Sequence, residues 1–174
     1  MEIKATLEKP FTEDERINFI VENNHKLGYE IRETDEELQA WGKTDEENLE
    51  QAKQAKYQEA NSKANEFLQS GEALYEFEEG KHIEATDGNI AKMNAYLTGL
   101  QAGAFEEVTW VSKEDEILTL NAEDVTTILL GLGQVQANVW SIRYPTYIKA
   151  IEQAETVEEI KAIIIDYTLS PEEG

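Results

Sequence analysis

Apolar residues change their spacing several times along this chain, and each change predicts an element. Ile3, Ala5 and Leu7 alternate with Glu2, Lys4 and Thr6, the period of a half-buried strand that Pro10 then breaks. From Thr12 the spacing turns helical. Ile17, Ile20 and Val21 share a face, and the run Asn23-Asn24-His25 with Gly28 beyond it predicts the helix end. Tyr29 and Ile31 alternate with Glu30 and Arg32 as a second strand. After a turn at 35–37, Leu38, Ala40 and Gly42 alternate, predicting a short strand through Trp41.

No Gly or Pro interrupts residues 44–70, where the good helix formers Glu, Gln, Lys and Ala dominate, so one long helix is predicted. Its apolar stripe is thin: Leu49, Ala52, Tyr57, Ala60, Ala64, Phe67 and Leu68. A helix with so little to bury is expected to span between units or to pack on a partner chain, and homo-oligomerisation through it is one expectation. Gly71 ends it. Residues 74–77 and 81–85 then read as a hairpin, with Gly80 in the turn. Asp87 is the predicted cap of a helix carrying Ile90, Met93, Leu97 and Leu100, which Gly103 closes. A second hairpin pairs 108–111 with 117–120 through an acidic turn at 113–115.

Asn121 caps the most apolar helix, with Val125, Ile128, Leu129, Leu132, Val135, Val139 and Ile142 expected to face inward. Pro145 starts a helix through Ala154, and Thr156 starts the last, in which Val157, Ile160, Ile163, Ile164 and Tyr167 are apolar. The expected class is α+β. A small N-terminal β-α-β unit (1–43) leads through a long connecting helix (44–71) into a C-terminal domain of two β-hairpins and four helices (72–174).

The formal charge is −22, from 37 acidic and 15 basic residues. Such a balance argues against direct contact with nucleic acid or anionic lipid, where basic patches supply the affinity. Much of the acidity has a local purpose. Thr12 to Glu15, Thr34 to Glu37, Thr44 to Glu47, Thr156 to Glu159 and Ser170 to Glu173 all have capping-box spacing. Acids at 13–15, 45–47, 123–124 and 158–159 also stand at predicted helix starts, where the macrodipole favours anions. The chain has no cysteine, which removes disulfides and thiolate metal sites. Its N-terminal ten residues lack the continuous apolar run of a signal peptide, and the longest apolar stretch, 128–132, is far short of a membrane span. A soluble protein is expected.

Candidate chemistry is sparse. His25 stands near a helix end, where it complements the dipole, and His82 stands in a hairpin, where a surface or cross-strand role is expected. Gly131 and Gly133 fall inside an apolar helix rather than between a strand and a helix start, so close packing or a kink is expected instead of a phosphate loop. No Gly-x-Ser-x-Gly occurs, and Glu114-Asp115-Glu116 lacks the ligand alternation of a calcium loop, so a solvated turn is expected there. The expectation is a protein that is not an enzyme, with no catalytic, cofactor or metal residues. Trp41, Tyr57 and Phe67 are the candidate interaction surface, while Trp110 and Trp140 are expected in the core.

Trp110, the acidic turn before Ile117, the run Leu118-Thr119-Leu120-Asn121-Ala122, Arg143, Lys149-Ala150-Ile151-Glu152 and Ala154 with Thr156, Val157, Glu158, Glu159 and Ile160 form a further pattern. With it, residues 77–163 resemble a domain of unknown function found in the tail-gene modules of bacteriophages and prophages. Tyr29-Glu30-Ile31 and Trp41-Gly42 are similar to the leading segment of small accessory proteins in such modules. The resemblance implies a minor structural component or a tail-fibre assembly factor, with protein partners in the tail or fibre. It would act in the host bacterial cytoplasm during assembly or in the virion tail. The alternative, from charge alone, is an acidic DNA-mimic inhibitor of a DNA-handling enzyme.

Overall fold

The computed structural model describes residues 1–168. The fold is α+β, mostly helical with three small antiparallel sheets. Contacts divide the chain into two compact units, Met1–Gln54 with Glu155–Val157, and Ala55–Ala154 with Glu158 onward. The division falls inside the long helix.

In the first unit, β1 (Glu2–Glu8), β2 (Glu30–Glu33) and β3 (Glu37–Gly42) form a sheet in the order β1-β3-β2, so the strand that comes last in sequence lies in the centre. The central position suits its composition. β3 is the strand that buries alternate residues, Leu38, Ala40 and Gly42. Between β1 and β2 runs α1 (Glu13–Ile20), continued by a π-helical segment, Val21–Lys26. The Thr12 box is complete: its hydroxyl accepts the Glu15 N–H at 3.3 Å, and Glu15 accepts the Thr12 N–H at 2.7 Å. Thr34 uses its hydroxyl differently. It accepts the Glu37 N–H at 3.0 Å, and the Thr34 N–H donates to the Glu37 carbonyl at 2.8 Å, which closes the β2–β3 turn rather than starting a helix. α2 (Asp45–Gln69) opens on a reciprocal Thr44–Glu47 box with bonds of 2.8 and 3.1 Å. The box at Ser170 lies outside the described residues.

In the second unit, β4 (Leu74–Glu78) pairs with β5 (Lys81–Glu84), and β6 (Val108–Val111) pairs with β7 (Ile117–Leu120). The helices are α3 (Asp87–Gln101), α4 (Ala122–Asn138), α5 (Tyr144–Gln153) and α6 (Val157–Ala162), the first residue of α6 being grouped with the other unit. Val125, Ile128 and Leu132 of α4 are fully buried with Ile83, Met93 and Leu120, alongside Ala60, Ala64 and Leu68 of α2. The thin stripe of α2 therefore does bury itself here. Alanines at every fourth position add little area, but they let the helix backbone approach the core closely.

Three local expectations are corrected. α3 is capped by Thr86, whose hydroxyl accepts the Asn89 N–H at 3.2 Å, and Asp87 becomes the first helical residue. Residues Val139–Arg143 are π-helical, and the wider turn shifts the phase of the helical face: Val139 is buried, but Ile142 is 55% exposed instead of facing inward. The last helix stops at Ala162, and residues 163–168 leave it. Side-chain donors take their carbonyls: Lys56 reaches Ile163 O at 3.2 Å, Lys63 reaches Ile165 O at 2.9 Å, and Tyr147 Oη reaches Asp166 O at 2.7 Å. Those bonds replace the ones a longer helix would have made.

The two glycines of α4 have opposite reasons to be small. A Cβ at Gly131 would meet the Tyr75 ring at 2.2 Å, whereas nothing lies within 4 Å of one at Gly133. Gly131→Ala is expected to lower stability by about 1–2 kcal/mol, because Tyr75 must leave its seat. Gly133→Ala is expected to raise it by about 0.5–1 kcal/mol through helix propensity. Urea unfolding midpoints moving in opposite directions would bear this out; equal shifts would contradict the Tyr75 packing.

Candidate functional site

The β6–β7 hairpin closes through a three-residue loop. Ser112 N–H donates to Glu116 O at 2.9 Å, Asp115 N–H donates to Ser112 O at 3.1 Å, and Asp115 adopts a left-handed φ of 62°. The buried Ser112 hydroxyl accepts the N–H groups of Glu114 at 3.2 Å and Glu116 at 3.3 Å, so the loop is tied from inside. This fixes Glu114 against β5. One carboxylate oxygen accepts the His82 N–H at 2.9 Å, and the other meets His82 Nδ1 at 2.9 Å. Beside it, Lys113 N–H donates to the His82 carbonyl at 2.9 Å. The two hairpins are thereby clasped at one point. His82, expected in a surface or cross-strand role, meets the loop of the other hairpin rather than a paired strand, and the turn expected to be solvated is docked through Glu114.

The Glu114 carboxyl is held down at about 2, first by the His82 backbone N–H, then by the His82 ring and the Ser112 hydroxyl. Its folded value lies below the ordinary 4.5, so the clasp contributes stability above about pH 4.5 that is lost as pH falls toward 2. Glu114→Gln is expected to flatten the unfolding free energy between those limits. A slope as steep in the variant as in the wild type would refute the clasp's contribution.

Beyond the clasp β5 and β6 are not paired, and a slot of about 390 Å³ opens beside them. β6 lines it with Thr109 to Val111, the connection after it with Ser112, Lys113 and Asp115, β5 with Ile83 and Glu84, and α3 with Asn89 and Lys92. The Lys92 ammonium lies 4.6 Å from the ring centre of Trp110 and 5.6 Å from that of Tyr96. Among the described residues, no three His, Asp or Glu side chains gather as a metal site, and no helix is long and apolar enough to cross a membrane.

No family model, curated protein or solved structure matches this chain.

The candidate surface residues occupy different settings. Trp41 lies on β3 in the first unit, where its Nε1 donates to Gln39 at 2.8 Å and the Arg32 guanidinium covers its ring at 4.7 Å. It also borders a hollow of about 650 Å³ with Tyr29 and Met1. Tyr57 and Phe67 belong to the second unit, on α2. Tyr57 is half-buried, and Phe67 packs on the core, stacked with Tyr167 at 6.3 Å beneath Arg143. Trp110 is buried and Trp140 packs at the core's margin, 5.3 Å from Tyr144. His25 sits in the last turn of the π segment. Sequence reasoning missed the slot, because it forms from two hairpins whose approach no local pattern encodes. The turn signal at 113–115 locates one wall only.

Proposed function

We propose that this chain is a non-enzymatic accessory protein of a bacteriophage or prophage tail module. It acts by protein–protein contact, as a minor structural component or a tail-fibre assembly factor, in the host bacterial cytoplasm or the virion tail. The observation that supports this reading is where the residues of the resemblance lie. Trp110, Leu118, Ile151 and Ile160 are buried, Asn121 closes a complete capping box with Asp124, and Arg143 holds the carbonyls of Asp166 and Tyr167. What the resemblance carries over is a framework, and a framework of this kind works by presenting surfaces. Oligomerisation through α2 remains part of the proposal, on the stretch of the helix before Ala55. The acids in the first turns of α1, α2, α4 and α6 answer helix starts, which favours the tail reading over DNA mimicry.

The test is co-purification of the tagged chain with the products of neighbouring genes, together with mass spectrometry of intact particles. Recovery in particles selects the structural component, and recovery with fibre proteins only during assembly selects the assembly factor. Recovery of a nuclease or recombinase instead sinks the reading.

A further inference from the structure

The slot beside the hairpin clasp has one wall made of strand edge. Ser112 bonds to Glu116 across the β6–β7 ladder, so the alternation of an antiparallel pair turns the N–H and C=O groups of Thr109 and Val111 to the opposite edge, toward the slot. Lys113 is next in that series, and its N–H already donates to His82 O across this edge. The pairing is not continued, because β5 and β6 remain in separate two-stranded sheets. A main-chain edge thus stands open along one side of a concavity, with its end fixed by the Glu114–His82 clasp so that register is set.

The side chains give the occupant a sign. Glu84 and Asp115 line the slot, and among the described residues neither carboxylate meets a cation. The two lysines of the lining are engaged, Lys113 with the Gly71 carbonyl and Lys92 with the rings of Trp110 and Tyr96. Both ammoniums keep their charge, so the lining is formally neutral, and the carboxylates of Glu84 and Asp115 are the groups left to receive a cation. The long-range field agrees, since a chain of charge −22 attracts basic partners.

We propose that this slot accepts a short, extended, basic segment of a partner protein, which adds as a strand to the open edge of β6. Main-chain bonds to Thr109 and Val111 supply the affinity, and a lysine or arginine meeting Glu84 and Asp115 supplies the selectivity. With β6 only four residues long, the bound segment is correspondingly short. The inference rests on reading the chain as an interaction protein, and it adds the chemistry of the partner.

The experiment is an NMR titration of the isotope-labelled full chain with a synthetic heptapeptide alternating valine and lysine. Two controls accompany it: the same peptide with glutamate for lysine, and one N-methylated on the amides of a single edge. The lysine peptide is expected to shift the amide signals of Thr109, Val111 and Glu84 and to slow hydrogen exchange at Thr109 and Val111, while neither control does so. Val111→Pro removes one slot-facing N–H without removing a ladder bond to β7, and it is expected to weaken binding about tenfold. Glu84→Lys removes the charge match and is expected to weaken it similarly; it keeps the proposal testable if the proline variant is poorly folded. Absence of shifts at millimolar lysine peptide, equal binding of either control, or unchanged affinity in Glu84→Lys would overturn the proposal. Such a result would leave the tail assignment standing, because that depends on particle and co-purification data.

Discussion

Replacing Arg143 with leucine is expected to lower the stability of the second unit by about 3 kcal/mol, as the loss of two charge-assisted bonds requires. The guanidinium donates to the carbonyls of Asp166, at 2.9 Å, and of Tyr167, and it lies 5.7 Å from the ring centre of Phe67 and 5.2 Å from that of Tyr167. Leucine would keep part of the packing on those rings, but the Tyr167 carbonyl would lose the guanidinium and the Asp166 carbonyl would keep only its bond from Tyr147 Oη. Arg143→Lys should recover about half of the loss, since an ammonium can serve one carbonyl well but not two in one plane. The measurements are the urea midpoint and limited proteolysis. Cleavage near residues 163–168 should precede global unfolding in the leucine variant and not in the wild type. An unchanged midpoint would show that the fork adds nothing to the ring contacts.

Leu132→Ala is expected to cost about 3–4 kcal/mol, the range for a fully buried leucine in a core that relaxes only partly. Leu132 is completely buried on α4 among the residues where α2, α3 and both hairpins meet. Leu130, two positions earlier, is 72% exposed, and Leu130→Ala should shift stability by no more than about 0.5 kcal/mol. The pair keeps residue type and helix constant and varies only burial. Against a total of about 5–15 kcal/mol for a domain, the first change removes a large share and the second almost none. Equal urea midpoints for the two variants would mean that α4 does not present the face assigned to it.

Features governed by a few neighbouring residues were legible in the sequence. The helix starts at Thr12 and Thr44 follow from hydroxyl and carboxylate spaced three apart, and both boxes form with that pairing. The two C-terminal hairpins follow from alternation and turn chemistry. What could not be read depends on contacts distant in sequence. β3 takes the central place in its sheet because its alternate residues are buried, which adjacency does not dictate. Ile142 is turned outward by a π segment that no residue announces. Likewise no local spacing signals that Lys56, Lys63 and Arg143 each bond a carbonyl of residues 163–168, with Lys56 and Lys63 also meeting Glu59. The slot was hidden for the same reason: Glu84 and Val111 carry no shared signal until β5 and β6 are side by side.

The grip on residues 163–168 has an evolutionary consequence. Lys56, Lys63, Tyr147 and Arg143 hold this stretch by its carbonyl oxygens, which every amino acid possesses, and Ile164 within it is 80% exposed. Selection to preserve the path of the chain therefore acts on four donors elsewhere in the sequence. The outward-facing position at 164 is left free to drift, so related chains could display different side chains there on an unchanged backbone.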